Sequence, residues 1–162
     1  REAVRHHLRC KIAMIIYVAY AHPQFVASFG IAAICHYESD TGRADFEMSL
    51  PLVETTEQFA DIMSAYLGLH CVKARYRTTG VVLRLEGKAH QFLEKDASGQ
   101  YLKDEAPGVE RLRALYEKFT SVTIEFVTGD NLYFTKSKAL ALKAASSTKR
   151  IPGVSDVCAF PI

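Results

Sequence analysis

The stretch HCVKARYRTTGVVLRL, residues 70–85, carries the decision about the fold. Thr78-Thr79-Gly80 is a turn signal between two short β-prone runs, so His70 to Arg77 and Val81 to Leu85 are expected to pair as a hairpin. Alternate residues of a strand share a face. Val72, Ala74 and Tyr76 would then pack inward, while Lys73, Arg75 and Arg77 line the open side and Arg84 joins them from the second strand. A cationic sheet face of this kind is an electrostatic footprint for nucleic acid or another anionic partner.

Upstream, Ile31 to Glu38 is strand-like, Asp40-Thr41-Gly42 is a turn, and Arg43 to Leu50 alternates Phe46, Met48 and Leu50 with Asp45, Glu47 and Ser49. That is a second hairpin with one buried face. Between the hairpins, Glu57 to Leu67 places Phe59, Ile62, Met63, Tyr66 and Leu67 on one helical stripe. Thr55 or Thr56 serves as the cap and Gly68 as the stop. Ala3 to Tyr20 reads as a helix that is apolar all round in its second half, and Gln24 to Gly30 as a short helix after His22-Pro23. Downstream, Lys88 to Lys95 reads as a short helix, Asp96 to Gly108 as a polar loop, and Val109 to Phe119 as a helix. Val122 to Val127 and Leu132 to Phe134 read as strands around Gly129-Asp130-Asn131, and Ser137 as the cap of a last helix, Lys138 to Ala145.

The chain has 162 residues, 49% of them apolar, which is enough for one folded domain and too apolar for disorder. The formal net charge is only +2, so a case for nucleic acid rests on local clusters. One is the hairpin; the other is Lys136, Lys138, Lys143, Lys149 and Arg150, with no acid between Asn131 and Ser155. Cys10, Cys35, Cys71 and Cys158 form no CxxC pair and the histidines have no metal-ligand spacing, so neither a metal site nor a cofactor is expected. Cys35 and His36 are adjacent, and in a strand they point to opposite faces, as a nucleophile and its base cannot. The apolar run Ile12 to Ala21 falls short of the ~20 residues of a bilayer span. The sequence starts at Arg1; loss of an organellar targeting peptide and an absent terminus both account for that.

The order helix, strand, strand, helix, strand, strand, helix over residues 24–95 resembles the LAGLIDADG homing endonuclease domain. Phe25 to Ile34 sit where that family has its namesake helix running into the first strand, and Phe59 to Gly68 look like its middle helix. The resemblance implies an α+β fold: an αββαββα core over residues 22–120, an N-terminal helix over 1–21, and a strand/helix extension over 121–162 packed on the same domain. It also puts Ala33 where the family has its metal-binding acid. Alanine cannot bind a cation, so the resemblance implies a relative without catalytic residues.

The expected function is accordingly a non-catalytic, RNA-binding structural component of a large organellar ribonucleoprotein such as a mitochondrial ribosome. Its partners would be RNA and the protein subunits of that assembly, with no small-molecule substrate. RNA contacts would come from Lys73, Arg75, Arg77, Arg84, Lys136, Lys138, Lys143, Lys149 and Arg150. Two alternatives stay open. One is a protein-only accessory subunit of a mitochondrial membrane or metabolic complex. The other is a homing endonuclease or RNA maturase, since RNA binding by a maturase does not need the missing acid. Asp45 and Glu47 fall on the same open sheet face as the cations. A self-neutralised, solvated face and a protein interface are therefore the alternatives to nucleic-acid contact there.

Overall fold

The computed structural model describes residues 12–24, 28–36, 46–53, 55–127 and 131–146. They form one five-stranded sheet with helices on both faces. In chain order the elements are β1 (Ile12–Ala21), β2 (Phe29–His36), β3 (Phe46–Leu52), α1 (Glu57–His70), β4 (Gly80–Leu85), α2 (Val109–Tyr116), β5 (Ser121–Phe126) and α3 (Leu132–Ala145). The strand order is β3-β2-β1-β4-β5. β2 runs antiparallel to both β1 and β3, whereas β4 is parallel to both β1 and β5.

The largest departure from expectation is at residues 12–21, which form the central strand and not a helix. The run is apolar on both sides because both sides are covered. Met14, Ile16 and Val18 enter the cluster under α1, while Ile15, Tyr17 and Ala19 enter the cluster under α3. A strand buried on both faces loses its alternation and reads as a continuous apolar run. The β-branched Ile15, Ile16 and Val18 suit such a strand.

The hairpin expected at residues 70–85 does not form. α1 continues to His70, and Ala74–Tyr76 is a single 3-10 turn. Gly68 does not stop the helix. It sits inside α1 against the side chains of Val18, Ile16 and Leu83, where the missing side chain lets helix and sheet approach. β4 is a strand as expected, but its partners are β1 and β5, far away in sequence. The expected αββαββα order is thus replaced by a mixed α/β sheet.

Other elements match more closely. β2 and β3 form the antiparallel hairpin read from the alternation of residues 43–50. Thr56 caps α1, its hydroxyl accepting from the Phe59 N–H at 3.2 Å. The helix expected over 88–95 shrinks to a 3-10 turn, Ala89–Phe92. Leu132 to Phe134 is the first turn of α3, not a strand, because the Asn131 side chain accepts the Phe134 N–H at 2.9 Å and starts the helix there. Ser137 is therefore mid-helix and buried, donating to the Tyr17 carbonyl at 3.2 Å. Phe29 and Gly30, expected at the end of a helix over 24–30, belong instead to β2; residues 25–27 lie outside the described ones. Ala33 pairs with Val18 and Met48 in mid-sheet and is fully buried. It occupies no helix end, so it does not stand in the position of the metal-binding acid that the LAGLIDADG resemblance implied.

Candidate functional site

β1, β4 and β5 run parallel, so their carboxyl ends lie at one edge of the sheet. In open α/β sheets that edge is where ligands bind. A cleft of about 660 Å³ opens there, lined by Tyr20 of β1, Glu57, Gln58 and Asp61 of α1, Glu86 to Lys88 after β4, Gln91, Phe92 and Lys103. Topology brings these residues together: α1 crosses the sheet from β3 to β4, and the segment after β4 turns back over the first half of α1.

Each carboxylate of the cleft has its own internal donor. The Tyr20 hydroxyl donates to Glu57 at 3.1 Å. Asp61, buried in α1, accepts the Lys88 N–H at 2.6 Å and is also hydrogen-bonded by the Ala89 backbone, closing the turn that follows β4. Its carboxylate packs so tightly against Gly87 that a β-carbon there would fall 2.2 Å from Oδ1. Glu86 lies 3.4 Å from Nζ of Lys138, which reaches in from α3 and donates to the Tyr20 carbonyl at 2.9 Å. Burial raises the Asp61 pKa above the ordinary aspartate value, and the two backbone N–H groups oppose that rise. Burial also raises the Tyr20 pKa, helped by Asp61, Glu57 and Glu86, so its hydroxyl remains a donor.

The loop carrying Lys103 is pinned from below. Arg113 of α2 is buried, donates to the carbonyls of Phe92 at 2.8 Å and Lys103 at 2.7 Å, and stacks 3.9 Å from the Tyr101 ring centroid. Asp96 folds the same loop, accepting from Ser98 and Gln100 N–H groups while Gly99 takes a positive φ of 88°. Cys71 is no nucleophile: burial pushes its thiol up to about 12.

The basic residues singled out in the sequence do not converge. Lys73 and Arg75 are exposed around the 3-10 turn before β4, and Arg77 is half-buried beside Phe119. That turn precedes Gly80, so it lies a strand length from the cleft, roughly 17–20 Å for six residues. Arg84 faces the other side of the sheet and is bonded to Glu125 at 2.8 Å and to the Tyr17 hydroxyl. Lys136 pairs with Glu47 at 2.6 Å, and Lys143 is exposed on α3. Lys149 and Arg150 lie outside the described residues. Among the described ones, only Lys138 contacts residues that line the cleft, Glu86 and Tyr20. Tyr20, Asp61, Glu86, Lys88 and Lys103 were not picked out from sequence. Asp61 did carry a signal, as an acid flanked by Ala60 and Ile62 on an otherwise apolar stretch of helix.

A divalent cation in a carboxylate-lined site needs several free oxygens directed at one point. Here the oxygens of Glu57, Asp61 and Glu86 are turned to three separate donors. Among the described residues no group of three or more His, Cys, Asp or Glu side chains could hold a metal ion. The described residues of the cleft do not fit a metal centre.

No protein-family model matches the sequence, and no curated protein sequence does. Solved structures do match by fold. The chain is similar to the N-terminal RNase H domain of Rv2228c from Mycobacterium tuberculosis, with a TM-score of 0.63 and 17% identity over 83% of this chain and 94% of that one. It is similar also to RNase H1 of the halophilic archaeon Halobacterium salinarum NRC-1, with a TM-score of 0.59 and 17% identity over 81% and 96% of the two chains. These likenesses overturn the LAGLIDADG-like reading. They also remove the ground for a non-enzymatic structural subunit of a ribonucleoprotein, because that reading rested on placing Ala33 at the metal-binding acid of a LAGLIDADG fold that the chain does not have. An RNase H-like fold is consistent with nucleic-acid binding, and no helix among the described residues is long and apolar enough to cross a membrane. At this identity the likeness establishes the fold alone: the chain has a mixed five-stranded, RNase H-like α/β sheet with flanking helices.

Proposed function

We propose that this chain acts on nucleic acid as a domain of the nuclease or RNA-maturase class, taking RNA or an RNA-containing duplex across the cleft at the carboxyl ends of β1 and β4. The observation that carries this reading is the position of the cleft. It lies at the ligand-binding edge of an RNase H-like sheet and is rimmed by the exposed cations Lys88 and Lys103. Lysines at such a rim contact phosphates, and each neutralised phosphate steepens the salt dependence of binding. The Tyr20 hydroxyl and the Gln58 and Gln91 amides add hydrogen-bonding groups inside the rim.

The test is binding of the purified chain to an RNA–DNA hybrid, duplex RNA, single-stranded RNA and a polyanion control across a salt series. Strand cleavage is followed in parallel with magnesium, with manganese and with chelator. Hybrid or RNA binding well above the polyanion, weakened with a shallower salt slope in a Lys88→Gln, Lys103→Gln double variant, is the expected result. Affinity no better than the polyanion, together with no cleavage of any strand, would sink the proposal. Equal loss in a Lys73→Gln, Arg75→Gln variant would move the contact to the opposite end of the sheet.

A further inference from the structure

We propose that Lys138 is a built-in counter-ion of the cleft, holding the place that a divalent cation takes in a carboxylate-lined nuclease site. The proposal rests on the cleft being the nucleic-acid site, but it concerns the cleft's own charge and is tested without nucleic acid.

Three observations carry it. First, Lys138 comes from the opposite face of the sheet. It is anchored by donating to the Tyr20 carbonyl at 2.9 Å, so its ammonium is held at the end of β1. Second, from that anchor Nζ lies 3.4 Å from Glu86 and 5.4 Å from the centroid of the Tyr20 ring, whose hydroxyl engages Glu57. A single ammonium therefore touches the strand end and the carboxylate that follows β4. Third, Asp61, the most buried acid of the group, has its oxygens turned toward the backbone of residues 87–89. A cation arriving between Asp61 and Glu86 would share Asp61 with the Lys88 N–H and meet the Lys138 charge beside Glu86. Like-charge repulsion from the ammonium opposes entry. The lysine also leaves the cleft less negative than its carboxylates alone would make it, which favours approach of a phosphate backbone.

The experiment is calorimetric and thermal-melt titration of the full chain with manganese and magnesium, comparing the parent with Lys138→Asp and Lys138→Gln. A ligand that binds the folded state raises Tm. The parent is expected to show no saturable uptake and an unshifted Tm. Lys138→Asp is expected to gain one saturable manganese site that disappears when Glu86→Gln is added. Lys138→Gln removes the charge without adding an acid, so it serves if the aspartate variant fails to fold. Saturable manganese binding by the parent, abolished by Glu86→Gln, would overturn the proposal. So would folded Lys138 variants that gain no cation site. Nucleic-acid binding measured in chelator is read separately: its absence would count against the proposed function, while the cation titration still decides the role of Lys138.

Discussion

The two faces of the sheet are held by different physics. Under α1 and α2 lies one large cluster that includes Ile16, Ile31, Ile62, Leu67, Leu83 and Leu112, all fully buried. Under α3 the apolar clusters are small, and Ala21, Ala32 and Ala141 form one of them. There the helix approaches so closely that a β-carbon on Gly30 would sit 1.8 Å from the Ala141 carbonyl oxygen. Contact with the sheet is completed by Ser137 and Lys138, which donate to β1 carbonyls. One face is stabilised by apolar area, the other by backbone proximity and hydrogen bonds to the central strand. The cleft is the place where the two meet, Asp61 arriving from the α1 side and Lys138 from the α3 side.

The contrast can be broken in order of expected effect. Leu67→Ala empties part of the large cluster and should cost about 2–5 kcal/mol, read as a fall in the denaturation midpoint at unchanged slope. A cost under ~1 kcal/mol would mean that this face collapses readily around the gap. Gly30→Ala should cost about 3 kcal/mol, the upper end of overpacking, because the added carbon meets backbone that cannot rotate away. Gly68→Ala is the control on the other face. Its nearest neighbours are γ-methyls of Val18 and Ile16 and not backbone, with the closest at 2.5 Å, so its cost should be smaller, about 2 kcal/mol. If the two glycine variants melt alike, the close-approach account of the α3 face is wrong.

Ser137→Ala removes one buried hydrogen bond to β1 and should cost about 1 kcal/mol. Hydrogen exchange should show the loss first in α3, with α1 still protected. The finest effect is one of pH. The folded-state pKa of Asp61 is raised, so the folded protein binds its proton more tightly than the unfolded chain does. Stability is therefore largest below the ordinary aspartate pKa and declines as pH rises from there through the raised value. Asp61→Asn cannot ionise and should flatten that part of the stability–pH profile. A profile unchanged by the substitution would remove Asp61 as the titrating group.

How much of this was legible in the sequence differs from element to element, for identifiable reasons. The β2–β3 hairpin was visible because Phe46, Met48 and Leu50 alternate and its two strands are neighbours in the chain. α1 was visible through its cap at Thr56 and its apolar stripe, although its end was misplaced at Gly68. Glycine there serves packing against Val18, and only the sheet reveals that use. The basic residues 73, 75 and 77 alternate by number without lying on a strand, since the 3-10 turn sets their directions. Of the candidate site, Lys138 alone was named in advance, and for a different role.

The sequence by itself determined the local elements: the β2–β3 hairpin, the cap at Thr56, the helical stripe of α1, and β4 and β5 as strands. Period and capping are properties of neighbouring residues, and they survive without knowledge of the fold. Tertiary structure alone decided that Ile12 to Ala21 is the central strand, because burial on both faces erases the period that would have announced it. It also decided the parallel pairing of β1, β4 and β5, whose partners are joined by long crossovers with no local turn signal. From that pairing follows the cleft, where Tyr20, Asp61, Glu86 and Lys138, far apart along the chain, come within reach of one another.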